Sequence, residues 1–68
     1  MEMLEKARIR LEHWITHNDH HENEYALFAE NLEKAGFDTA AAEVRRMIEL
    51  NSGCNDCLRK ALAALPEE

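Results

Sequence analysis

The stretch LEKARIRLEHWITHNDHHENEYALFAENLEKAG, residues 4–36, decides the fold. With Leu4 at position a of a heptad, the a positions are Leu4, Leu11, Asn18, Tyr25 and Leu32, and the d positions are Ala7, Trp14, His21, Phe28 and Ala35. Eight of these ten are apolar, which is the pattern of one amphipathic helix. The two exceptions, Asn18 and His21, are neighbours in the pattern. Glu2 precedes Lys6 and Glu30 precedes Lys34, both with the acid four residues ahead of the base, the favourable order on a helix. The apolar phase carries through Asn18-Asp19, so the period predicts a helix over about residues 2–35. Trp14, Tyr25 and Phe28 read as core anchors.

Gly36 is placed to take a left-handed C-cap, with Phe37 as the apolar residue beyond it. Asp38 or Thr39 then suits the N-cap of a second helix. Its apolar stripe is Val44, Met47 and Ile48, then Leu58, Ala61, Leu62 and Leu65, with Asn51, Cys54 and Asn55 between the two halves. The phase is kept, so a helix over about residues 39–65 is expected, with a kink or break possible at Ser52-Gly53. A third helix starting near Cys54 is the alternative. Pro66 ends the helix, and Glu67-Glu68 read as a tail. A turn at residues 36–38 makes the helices antiparallel. The expectation is one all-α domain, residues 1–68, folded as an antiparallel helical hairpin. So short a chain gains little from its own core. A dimer forming a four-helix bundle is therefore expected.

The formal charge of −6 comes without a basic stripe, which disfavours nucleic acid and anionic membranes as partners. No apolar run is long enough to span a bilayer, and the charged start Met1-Glu2-Met3-Leu4-Glu5-Lys6 has no signal-peptide core. A cytoplasmic protein follows, with Cys54 and Cys57 as reduced thiols or metal ligands.

Folding back at Gly36-Phe37 sets side by side residues whose numbers sum to about 73. Asn18 comes opposite Asn55, and His21 opposite Ser52. The two polar interruptions meet at one height. His17 and His21 form an HxxxH pair, Glu24 offers a carboxylate, and Cys54 and Cys57 form a CxxC. Imidazole and thiolate ligands suit zinc, nickel or cobalt. At about 100° per residue, His21 falls inside the apolar arc, with His17 and Cys54 at its edge. Cys57 lies further round. His17, His21, Cys54 and Glu24 therefore need the least distortion as a ligand set. Cys57 joins only if Gly53 breaks the helix or a second subunit contributes.

Two plainer readings stand beside the metal site. Asn18, Asn51 and Asn55 can act as a polar layer that fixes register and oligomer state, in a structural module that pairs with itself or with a protein partner. His21 can be a core histidine bonded to Asn51 or Asn55. Redox exchange at the CxxC would need a helix to start at Gly53. No Ser/His/Asp arrangement, phosphate loop or paired carboxylates occur in the sequence, so catalysis is not expected.

The segment Leu11, Glu12, His13, Trp14, Ile15, His17, Asn18 and His21 resembles the LEHWI-x-HN-x-x-H pattern of small uncharacterised prokaryotic helical-hairpin domains. The Ala-rich second helix is also similar. The resemblance implies the hairpin fold and singles out His17, Asn18 and His21; it implies no activity and does not extend to the CxxC.

Overall fold

A computed structural model describes residues 2–67; Met1 and Glu68, the outer limits of the expected domain, lie outside the described residues. The described residues form two helices and no strand: α1, Glu2–Lys34, and α2, Asp38–Ala64. Glu2 and Glu5 in the first turn of α1 and Lys34 in its last turn complement the helix dipole. Lys6 meets Glu2 at 2.8 Å and Lys34 meets Glu30 at 3.1 Å. Such exposed pairs contribute only a few tenths of a kcal/mol each.

The turn follows from Gly36, whose φ is +85°. The Phe37 amide donates to the Leu32 carbonyl at 2.9 Å, and the Gly36 amide to the Glu33 carbonyl at 3.0 Å. These are the two bonds of a Schellman cap, and the residue at its centre must be left-handed. The second helix starts one residue sooner than the expected cap. Phe37 is its N-cap, with no side-chain hydrogen bond, and Asp38 already lies in the first turn. Neither Asp38 nor Thr39 caps, because the Schellman geometry leaves no extended residue after Phe37. Asp38 serves the dipole instead.

Helix α2 runs unbroken through Ser52-Gly53. Among the described residues Gly36 is the only glycine with a positive φ, so Gly53 breaks nothing and no third helix forms. The end of α2 is set by Leu65, which is extended at φ −68°, ψ 141°, the conformation that a following proline imposes.

The antiparallel arrangement is held at three levels. Arg45 bonds Glu33 near the turn, Arg59 reaches Asp19 at 3.4 Å, and Arg8 donates to the Pro66 carbonyl at 2.6 Å at the open end. The molecule is one helix pair, 53 × 14 × 11 Å. Along α2 the covered residues are Ala41, Val44, Ile48, Asn51, Asn55, Leu58, Leu62 and Leu65, a strict three-four alternation. On α1 they are mainly Leu4, Arg8, Leu11, Ile15, Asn18, Glu22, Tyr25, Ala29 and Leu32.

The α1 seam therefore uses the a and e positions, and the expected d anchors are displaced. Trp14 is 45% exposed and Phe28 55%, while Tyr25 is half-buried as expected. The apolar arc of α1 is broader than one partner helix covers, and Ile15 and Ala29 at e draw α2 to that edge. Ala29 and Ala41, beside the turn, are the fully buried apolar residues.

The displacement gives the hairpin two unlike sides. At 3.6 residues per turn, the b and d positions of α1 lie about 80° to either side of its seam. The b side carries Asp19 and Glu33, which bind Arg59 and Arg45. The opposite side carries Ala7, Trp14, His21 and Phe28 from α1, and Met47, Cys54 and Ala61 from α2. Neither helix is long and apolar enough to cross a membrane.

Candidate functional site

The polar interruptions of the two helices meet in the middle of the seam. Asn55 is 1% exposed. Its Oδ1 accepts from Asn18 Nδ2 at 2.9 Å. Its Nδ2 donates to Asp19 Oδ1 at 2.7 Å and, at a longer 3.4 Å, to the Ile15 carbonyl. One turn nearer the bend, Asn51 Nδ2 donates to the Asn18 carbonyl at 3.2 Å and to Glu22 Oε2 at 3.1 Å. Arg59 holds the other oxygen of Asp19. Among the described residues no buried side-chain nitrogen or oxygen lacks a partner. A one-residue slip of α2 would rotate Asn55 by about 100° and strand these groups. The layer is matched to the observed register.

Asn18 and Asn55 stand level, as counting from the turn predicts. His21 bonds neither Asn51 nor Asn55: its ring faces His17 and stacks on Tyr25, while Asn18, Asp19, Glu22 and the α1 carbonyls take both ends of Asn55 and the Nδ2 of Asn51. Asp19, Glu22 and Arg59 are layer members that the apolar pattern does not reveal. Their signal is the counting rule itself: Asp19 lies next to Asn18, opposite Asn55, and Arg59 is one turn beyond.

His21 sits on the apolar side of α1 and His17 at its outer edge, neither in the seam, while His13 and His20 face outward. His17 Nε2 and His21 Nε2 are 3.0 Å apart, with the rings nearly perpendicular at 74°. His13 stacks on His17 and His21 stacks on Tyr25, each with ring centres 5.8 Å apart. The i,i+4 spacing produces this ladder of four rings. Glu24 Oε1 lies 3.1 Å from His20 Nε2, and its Oε2 lies 3.6 Å from His21 Nδ1. The carboxylate thus stands behind the His21 ring, away from the facing Nε2 atoms.

Two imidazoles with converging Nε2 atoms share one proton as a hydrogen bond, or direct two lone pairs at one cation when both protons sit on Nδ1. Tetrahedral bonds of about 2.05 Å to nitrogen set the two donors about 3.3 Å apart. The observed separation needs to open by only about 0.3 Å to reach that value. Glu24 Oε2, 3.6 Å from His21 Nδ1, needs to close by about half an ångström to accept that N–H, the usual support of a ligating histidine.

Cys54 and Cys57 are free and exposed. The continuous α2 turns Cys57 away, and the displaced seam of α1 carries the imidazoles to the flank, away from Cys54. Among the described residues, no three or more His, Cys, Asp and Glu side chains gather as one ligand set. His17 and His21 come together; Cys54, Cys57 and the near side of Glu24 do not come to them. Further along the same side of α1, Met3, Lys6, Ala7, Arg10, Leu11 and Trp14 line a shallow groove of about 260 Å³. The Arg10 guanidinium lies 6.0 Å from the Trp14 ring centre.

The family described as a domain of unknown function (DUF8180) matches residues 2–65, spanning both helices and the histidine segment, and the chain belongs to that family. No curated protein and no solved structure matches the chain.

Proposed function

We propose that this member of the DUF8180 family is a small metal-binding helical module that handles or senses a transition metal such as zinc, nickel or cobalt. The observation that carries the reading is the 3.0 Å approach of His17 Nε2 to His21 Nε2 on one face of α1. The ion takes the place of the shared proton, and the displaced tautomer turns its Nδ1–H of His21 toward Glu24. Neutral imidazole selects borderline ions over magnesium or calcium, which favour oxygen ligands. The finer fold reading belongs with it: two hairpins pair through the Trp14–Phe28–Met47 side into a four-helix bundle.

A second reading is favoured by the Asn18–Asn55 bond at 2.9 Å. In it the chain is a structural interaction module, and the amide layer fixes register so that one surface is always presented to the partner.

Equilibrium dialysis of the full chain against zinc, nickel and cobalt chlorides separates the two. The metal reading expects saturable binding that His21→Ala removes. Wild-type protein that retains no ion, or a variant that binds as well as wild type, leaves only the structural reading.

A further inference from the structure

Resting on the metal-binding reading, we propose that one ion is held between two copies of the chain, by His17 and His21 of each, on a two-fold axis crossing the apolar side of α1.

A single chain supplies two converging nitrogens. A closed zinc site takes four ligands, and an open one takes three plus water. Nothing among the described residues completes the set. Glu24 faces His21 from the Nδ1 side and is drawn to His20. No third His, Cys, Asp or Glu is gathered with the pair among the described residues. The missing donors must come from outside, and a two-fold axis beside the pair doubles it to four imidazoles.

The pair stands where such an axis would fall. His17 and His21 flank the midpoint of the 33-residue α1. In an isologous pairing, residues near the axis meet their own copies. His21 lies in the row Trp14, His21, Phe28, on the side that α2 leaves largely open: Trp14 is 45% exposed and Phe28 55%, with His21 half-buried between them. An axis midway between His17 and His21 levels residues whose numbers sum to 38. It brings the exposed Phe28 of one copy level with Arg10 of the other. That is the middle of the groove whose apolar walls are Met3, Ala7, Leu11 and Trp14. The axis is chosen on the nitrogens alone, yet it delivers an apolar side chain to an apolar groove.

The surface area points to the same occupant. The chain exposes 5293 Å². A folded monomer of 7.9 kDa is expected to expose about 4,400 Å². The excess of about 900 Å² matches the roughly 800 Å² that each partner buries in a standard interface.

The test combines equilibrium dialysis with sedimentation equilibrium of the full chain, with zinc or cobalt chloride as the probe. The expected result is one ion per two chains at dimer mass, and a four-coordinate cobalt spectrum. Phe28→Glu leaves both histidines in place. It should return the protein to monomer mass and weaken ion binding about a hundredfold or more, because the two pairs no longer act as one site. Phe28→Ala should move the same readouts in the same direction, and far-UV circular dichroism reports whether each variant keeps its helices. One ion per chain at monomer mass overturns the shared site and leaves the metal reading standing. So does undiminished ion binding by a helical, monomeric Phe28→Glu. Retention of no ion by the wild type sinks both.

Discussion

Two polar clusters lie within one turn of each other on α1, and they are opposites. Asn18 looks into the seam, where no buried side-chain nitrogen or oxygen among the described residues lacks a partner and Asn55 is 1% exposed. His17 and His21 look sideways, and among the described residues their close polar partners are each other and Glu24. A buried group that is fully satisfied has no capacity left for a ligand; its energy is committed to register. Exposed nitrogens that converge can exchange a proton for a cation at little cost to the fold. The contrast teaches that the polar interruption in the sequence is two devices, separated by about 60° to 100° of helix rotation.

The contrast is broken most severely at Asn55. Asn55→Asp keeps the shape but turns the Nδ2 that meets Asp19 and the Ile15 carbonyl into a carboxylate oxygen. Burying that charge against two acceptors should lower stability near neutral pH by about 3–5 kcal/mol. Burial and the Asp19 charge raise the pKa of the new carboxyl in the folded state above its unfolded value of about 3.9. The variant is therefore least impaired below that value and loses stability as pH rises through the folded pKa. Urea unfolding of variant and wild type near pH 3 and pH 7 measures the difference. Equal midpoints at pH 7 would mean that the layer does not hold the seam.

A smaller effect of opposite sign is expected when two of the three layer amides become apolar. Asn18→Leu with Asn55→Leu should raise stability by about 1–2 kcal/mol, since a satisfied polar cluster is often weaker than an apolar one. Register and assembly should loosen together. Solution scattering should then resolve more than one species; a single species identical to wild type would deny the layer its specifying role.

The sequence makes the seam height legible and its edge illegible. Apolar spacing marks both helices, Gly36 marks the bend, and counting from that bend levels Asn18 with Asn55. These follow from helix pitch and one left-handed residue. The a, d and e positions of α1 together offer a wider apolar arc than a single helix can cover. The pattern alone does not say whether Trp14 and Phe28, or Ile15 and Ala29, face α2. That choice moves the histidines from core to flank and turns a ligand set within one chain into a pair. Asp19 and Glu22 are equally hidden, because a carboxylate that completes a buried network looks like any other solvated charge. Gly53 misleads in the other direction: its weak helix propensity suggests a break, but packing on both sides of it holds α2 straight through.

Gly53 also tests how firmly α2 carries the layer. A Cβ there meets nothing within 4 Å, and no left-handed φ is required. Gly53→Ala should therefore stabilise the protein by about 0.5–1 kcal/mol, mostly by restricting the unfolded chain. Thermal unfolding measures the gain. A loss would show that the segment between Asn51 and Asn55 depends on backbone freedom.

The smallest change is expected at His21 in metal-free protein, and it is the one on which the comparison rests. Its side chain is about one-third exposed, and it donates nothing to the amide layer. His21→Ala removes a ring stacked on Tyr25 and a contact to His17, yet the hole opens to solvent and strands no buried group. Stability should stay within about 0.5 kcal/mol of wild type, as for surface substitutions generally. Urea unfolding in the presence of a chelator reads it. A loss comparable to that of the Asn55→Asp variant would make His21 a structural histidine, and the two clusters would be one. A flat result leaves the imidazole pair with no role in holding the hairpin together, so that the reason for setting two ring nitrogens 3.0 Å apart on this flank of α1 lies outside the folding of the single chain.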